Sequence, residues 1–309
     1  MQSKVMKTLL VTGGDKVFDD LLEDCVRSVR DVGYNGDIAV LDFGFSAEML
    51  GRIKDCNIIV KAASLPPEVE AQAIKVPAGA GVLLLKPYLP QLFQGYDRYI
   101  FIDADIYCQD DIALAALERE AEGADFVAVS QRTRFHEWDV ARGNGIEFNM
   151  FGQPLRRNWY TMFANRSKLP KEDKKLLAQH QIINAGVFSA EAQSPIWSLW
   201  IEEMIHCMKA LPVGRKSAAD QLGLGLALYR HGLNFKTLPE ICNWTSTWRY
   251  DPEKHLFTET EPFYRPVSIM HLAGMRADDT VRDVIFPDGK KRPLNLSYRA
   301  LIERRSSGK

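Results

Sequence analysis

Two aspartates one position apart, Asp103 and Asp105, are the residues of this chain best placed by type and spacing to do chemistry. They close the run Tyr96-Asp97-Arg98-Tyr99-Ile100-Phe101-Ile102, which is aromatic and β-branched and long enough for one buried strand. Carboxylates at the C-terminal end of a strand in an open α/β sheet stand where such folds place their ligands. Asp103-Ala104-Asp105 can therefore offer oxygen ligands to a divalent cation, and a cation can hold a diphosphate. Aspartates also cap helices and start turns, so the pair alone does not decide. Four further groups carry similar two-way readings. Lys86, in an otherwise apolar segment, is a snorkelling surface lysine or a phosphate contact. Asn184-Ala185-Gly186 interrupts the strand-like Ile182–Phe188, and a glycine there suggests a bulge or the close approach of a ligand. Asp220-Gln221 stands at a helix start, and His271-Leu272-Ala273-Gly274 follows a short strand.

The elements that must position these residues alternate from the start. Strand Thr8–Val11, a flexible turn Thr12–Lys16, helix Phe18–Val32, strand Asp37–Leu41, helix Ser46–Lys54 with Ser46 as N-cap, and strand Asn57–Val60 form a β-α-β-α-β series. That series argues for a parallel sheet with helices on its faces. The Gly13-Gly14 turn matches neither a P-loop nor a dinucleotide fingerprint, so it is a tight βα turn or a weak nucleotide cradle. A helix is expected over Val82–Leu92, another from Asp110-Asp111 to about Glu122, and a strand over Phe126–Val129. Residues 131–181 lose periodicity and gain Arg, Asn, Trp and Phe, which reads as an insertion building a substrate surface. Its Arg132, Arg134, His136, Trp138, Trp159 and Tyr160 suit a polar ring-shaped ligand or loop packing equally. Trp244 and Trp248, with Trp138 and Trp159, are aromatic platforms for a sugar or core residues. Helices Pro195–Leu211 and Ala218–Leu233 and strands Phe235–Leu238 and Val267–Met270 follow, and the basic tail from Asp288 reads as solvated surface.

Length and composition bound the answer. A chain of 309 residues with net charge −1 suits one large domain, 1–309, with the insertion at 131–181 and an extension at 275–309. No basic excess points to nucleic acid, and no apolar run reaches membrane-spanning length. The five scattered cysteines, never in a C-x-x-C pair, read as reduced, and with no signal-peptide pattern at the start the expected location is cytoplasmic.

Asp103-Ala104-Asp105, Asn184-Ala185-Gly186-Val187, Asp220-Gln221 and His271-x-x-Gly274, in that order after the β-α-β-α-β start, resemble the GT-A fold glycosyltransferases, and among them the retaining family 8 group. The resemblance runs from Thr8 to Gly274 and implies a Rossmann-like α/β fold with a mostly parallel central sheet. It implies that Asp103, Asp105 and His271 hold Mn²⁺, or Mg²⁺, against a nucleotide diphosphate, a nitrogen ligand favouring Mn²⁺. It places Asn184 and Gly186 near the donor sugar, Asp220 on sugar hydroxyls, Gln221 beneath the anomeric carbon, and Lys86 on the donor. Where the family commonly has Lys-Pro-Trp after the histidine-glycine motif, this chain has Met275-Arg276-Ala277, and Arg276 can stand in for the lysine beside Gly274. The implied reaction moves a hexose from UDP-glucose or UDP-galactose to a hydroxyl acceptor with retention. Two alternatives remain: a sugar-nucleotide pyrophosphorylase, against which the short Gly13-Gly14-Asp15-Lys16 argues, and a glycan-binding protein without turnover. A dehydrogenase lacks its dinucleotide fingerprint here.

Overall fold

The computed structural model describes residues 6–73, 76, 80–130, 147–148, 154–155, 159–245 and 247–307. A seven-stranded sheet runs in the order Phe235–Leu238, Phe126–Ser130, Ile183–Glu191, Arg98–Ile102, Thr8–Gly14, Asp37–Asp42, Ile58–Ala62. All neighbours are parallel except at Ile183–Glu191, which runs antiparallel to both of its partners. Alternation along the strands feeds two apolar layers. Leu9, Val11, Tyr99 and Phe101 face one layer, while Leu10, Ile100 and Ile102 face the other. Both faces are thus covered, as the α/β series requires.

Three local features position the site. First, the strand Arg98–Ile102 ends at Asp103, and the chain resumes as Ile106–Cys108, which pairs antiparallel with Ile269–His271 in a separate two-stranded ribbon. The register sets His271 opposite Ile106, which brings a residue from late in the chain beside Asp105. Second, the pairing of Phe126–Ser130 with Ile183–Glu191 jumps from Ala128↔Phe188 to Val129↔Asn184, so Ala185, Gly186 and Val187 bulge on that side. Third, helix Ala219–Arg230 packs so tightly on Ile196–Ala210 that a Cβ at Gly223 would lie 2.6 Å from the Met204 backbone. Trp200 Nε1 also donates to the Asp220 carbonyl at 2.7 Å, which fixes the first turn of that helix.

Several expectations are corrected. Gly13 and Gly14 are not a turn: the first strand continues through them, paired with Leu41 and Asp42. The expected helix Val82–Leu92 is interrupted, running Gly81–Leu85, a 3₁₀ turn Lys86–Tyr88, then Leu89–Leu92. Pro87 and Pro90 each lack the N–H that an unbroken α-helix needs. The tail beyond Asp288 is exposed at Asp288–Pro293 and on one side of its last helix, but it is not all solvated surface. Strands Val281–Ile285 and Lys291–Asn295 form a hairpin, and helix Tyr298–Ser307 buries Tyr298, Ala300 and Leu301. Arg299 Nε sits 3.1 Å from Asp24 Oδ1, tying this helix to Asp19–Asp31. Within 131–181, Arg132, Arg134, His136 and Trp138 lie outside the described residues, while helices Trp159–Asn165 and Lys171–Gln179 give the later part regular structure. Tyr160 is core, its hydroxyl accepting from the Ile183 N–H at 3.2 Å. Trp244 is core as well.

Candidate active site

Lys86 is the hinge of the site. It is 1% exposed, and its Nζ lies 2.9 Å from Asp103 Oδ1, 3.6 Å from Asp220 Oδ2 and 3.0 Å from the Ala185 carbonyl it donates to. The Phe101 ring lies beneath it, 4.8 Å from Nζ to the ring centre. A buried ammonium is tolerable only when its donors are matched, and here two carboxylates and one bulged carbonyl match them. The 3₁₀ turn that Pro87 helps to enforce is what carries the side chain.

Beyond Asp103 stands the acidic cluster. His271 Nε2 lies 3.3 Å from Asp105 Oδ1 and 3.9 Å from Asp103 Oδ2, and the ligand atoms of the three residues all lie within 4.8 Å of one another. Asp105 is further held by the Gly274 N–H, which donates to its Oδ2 at 3.0 Å. Burial pushes the Asp105 carboxyl up, but the His271 imidazole outweighs it and holds the group below the usual carboxylate range. Burial likewise pulls His271 down, and the carboxylates of Asp105 and Asp103 outweigh it, leaving the imidazole above its ordinary value. Without a cation, a proton on His271 compensates two close carboxylates. A divalent cation compensates them better, and the donor set of two oxygens and one nitrogen suits one. The space fits too: a Cβ at Gly186 would stand 2.5 Å from Asp103 Oδ2 and 2.8 Å from His271 Cε1, so only glycine leaves the cradle open.

The opposite wall carries Asn184, Asp220 and Gln221. Asn184 Oδ1 accepts from the Gly186 N–H at 2.6 Å, which closes the bulge on itself. Gln221 Oε1 lies 3.5 Å from the Ala185 amide nitrogen. Asp220 is buried in the first turn of its helix. Burial raises its carboxyl to about 6, more than the nearby Lys86 lowers it.

Of the predicted residues, Lys86, Asp103, Asn184, Gly186, Asp220, Gln221 and His271 line a single cavity of about 310 Å³. Asp105 sits behind Asp103, and Gly274, at φ 76°, braces Asp105 through its backbone. Arg276 is exposed and does not line the cavity. Phe163 and Arg215 were missed; both line the cavity, and the Arg215 guanidinium lies 5.6 Å from the Phe163 ring centre. Neither belongs to a patterned motif, and only their place in the fold reveals them.

These features together define a GT-A glycosyltransferase. The model of glycosyl transferase family 8 matches residues 77–262, more than half of the chain, and the chain belongs to that family. It is a glycosyltransferase enzyme. No curated protein sequence matches it. Among solved structures it is similar to the galactosyltransferase LgtC in complex with donor and acceptor sugar analogues, at TM-score 0.52 and 13% identity over 97% of this chain and 95% of that one. An active-site mutant of LgtC superposes at TM-score 0.54 with 13% identity over the same shares, 97% and 95%. The bifunctional glycosyltransferase WbbM aligns at TM-score 0.52 and 14% identity, over 98% of this chain and 50% of that one. At such identities these structures bear on the fold.

Proposed function

We propose that the enzyme transfers a hexosyl group from a nucleoside-diphosphate sugar, UDP-glucose or UDP-galactose, to a hydroxyl of a saccharide acceptor, with retention at the anomeric carbon. The observation that carries this reading is one cavity with a cation-ready cluster, Asp103, Asp105 and His271, on one side and Asn184, Asp220 and Gln221 on the other. Mn²⁺, or Mg²⁺, held by that cluster would neutralise the diphosphate and assist its departure as a Lewis acid. LgtC, crystallised with donor and acceptor sugar analogues, supports the assignment of a donor and an acceptor sugar to the cavity.

The chain's own residues divide the remaining work. Asp220, with a carboxyl that keeps its proton more readily than most, is suited to hydrogen bonds with sugar hydroxyls. Asn184 shapes the bulge on which the sugar rests. Gln221 lies at the cavity wall, and an amide is a poor nucleophile beside a carboxylate. Of a covalent intermediate and a front-face route this favours the latter, in which Gln221 stabilises an oxocarbenium-like centre and the acceptor hydroxyl attacks from the side the diphosphate leaves, passing its proton to the departing diphosphate oxygen. Lys86 spends its donors on Asp103, Asp220 and Ala185, so its contribution is to hold both walls and lend positive charge to the site. Arg276 would reach the diphosphate only if its loop moved inward.

We read the chain as one catalytic domain over 1–309, with a substrate-binding insertion at 131–181 and an extension at 275–309. No helix among the described residues is long and apolar enough to cross a membrane. All five cysteines are buried and free, which fits a reducing cytoplasm. A nucleotide-release screen over UDP- and GDP-sugars, with NMR of the anomeric proton of the product, tests the proposal. UDP release with an α-linked product from an α-linked donor is expected; pyrophosphate release, or an inverted product, would overturn it.

A further inference from the structure

We propose that Asn243 is a positioning residue that fixes the tautomer of His271 and so aims its Nε2 at the cation; this rests on the metal-site reading above. His271 Nδ1 lies 2.8 Å from Asn243 Oδ1, and the opposite ring nitrogen is the one that faces Asp103 and Asp105. With Oδ1 accepting, Nδ1 carries the proton and Nε2 offers its lone pair. A flipped amide would donate to Nδ1 instead, leave the proton on Nε2 between the carboxylates, and turn the ligand away from a cation.

The frame around Asn243 is rigid. Its own N–H donates to the Glu240 carbonyl at 2.9 Å, the Trp244 N–H to Ile269 at 2.9 Å, and the His271 N–H to Trp244 at 2.9 Å. Trp244 and Met270 form a parallel bridge, so the segment bearing Asn243 is stitched to the strand bearing His271. Asn243 is 4% exposed, and its Nδ2 has no hydrogen-bond partner among the described residues. A buried, unmatched amide N–H₂ is unfavourable. An apolar residue would pack there without that cost, so what the asparagine supplies is its oxygen.

The test measures Mn²⁺ affinity by electron paramagnetic resonance for the wild type, Asn243→Ala and Asn243→Asp, alongside nitrogen NMR of the His271 ring in the metal-free protein with its imidazole neutral. The expected result is about 10–100-fold weaker Mn²⁺ binding in Asn243→Ala, near wild-type binding in Asn243→Asp, and a wild-type ring protonated at Nδ1. Unchanged binding in Asn243→Ala, or a ring protonated at Nε2, would overturn the proposal. Should Asn243→Ala not fold, Asn243→Asp and the NMR assignment still decide. Absence of Mn²⁺ binding by the wild type would instead sink the metal site, while the protonated ring nitrogen would still show whether Asn243 sets the tautomer.

Discussion

The two walls of the cavity hold buried carboxylates in opposite ways. On one, Asp105 is kept ionised by His271 and the Gly274 N–H, its charge set ready for a cation. On the other, Asp220 is pushed to about 6 by burial that Lys86 only partly offsets. Lys86 touches both walls through Asp103 and Asp220, but it lies closer to Asp103, 2.9 Å against 3.6 Å. The difference teaches that burial raises both carboxyls and that the opposing neighbours decide the outcome: at Asp105 they outweigh burial, at Asp220 they do not. The first wall keeps negative charge that a cation would balance, and the second holds a carboxyl that takes up its proton well above the usual range.

The largest effect should come from breaking the charged wall. Asp105→Ala is expected to lower kcat/KM for metal-supported transfer by about 10²–10³-fold while leaving the fold intact, as read by nucleotide release and circular dichroism. Next, Lys86→Met should remove the compensation shared by both walls. It leaves the buried Asp220 and the partly exposed Asp103 without their cation, and urea unfolding of the metal-free protein should show a loss of about 3–5 kcal/mol. The Asp220 wall responds differently. Because the folded carboxyl of Asp220 titrates at about 6 against an ordinary value of 3.8, its contribution to stability is fully present below the lower value. That contribution is lost as pH rises through the upper one. Asp220→Asn should therefore stabilise the metal-free protein by about 1–3 kcal/mol near about pH 8 and by little near about pH 4, while lowering turnover. Equal stabilisation at both pH values would show that Asp220 is not held near its proton. The smallest effect is expected at Arg276, which is exposed outside the cavity. Arg276→Ala should change kcat/KM by less than about threefold, and a larger loss would show that its loop closes on the donor.

The charged wall was more legible in sequence than the frame that sets it. Asp103-Ala104-Asp105 at the end of an apolar strand is a local pattern, and the strand is where it was expected. Asn184-Ala185-Gly186 also announced its bulge, since a glycine inside a strand has few other reasons to be there. Asn243 was not legible. Its importance comes from a ribbon pairing between distant segments, which no periodicity in one segment records. The Lys86 environment was half legible: the lysine stood out among leucines, but the apolar neighbours suggested snorkelling, and only the fold shows it turned inward onto two carboxylates. The Gly13-Gly14 pair misled because glycine more often marks a turn than a strand, and strand pairing prevailed there. Tyr298 and Leu301 were hidden by the basic residues around them, which mask the apolar face of a short helix.

The most direct test of the metal-held site is nucleotide release from the preferred sugar nucleotide after chelation, followed by titration with Mn²⁺. Release should stop with chelator and return with Mn²⁺ in the wild type but not in an Asp103→Ala, Asp105→Ala variant. Release that continues undiminished in the chelated wild type, or in the double variant, would contradict it.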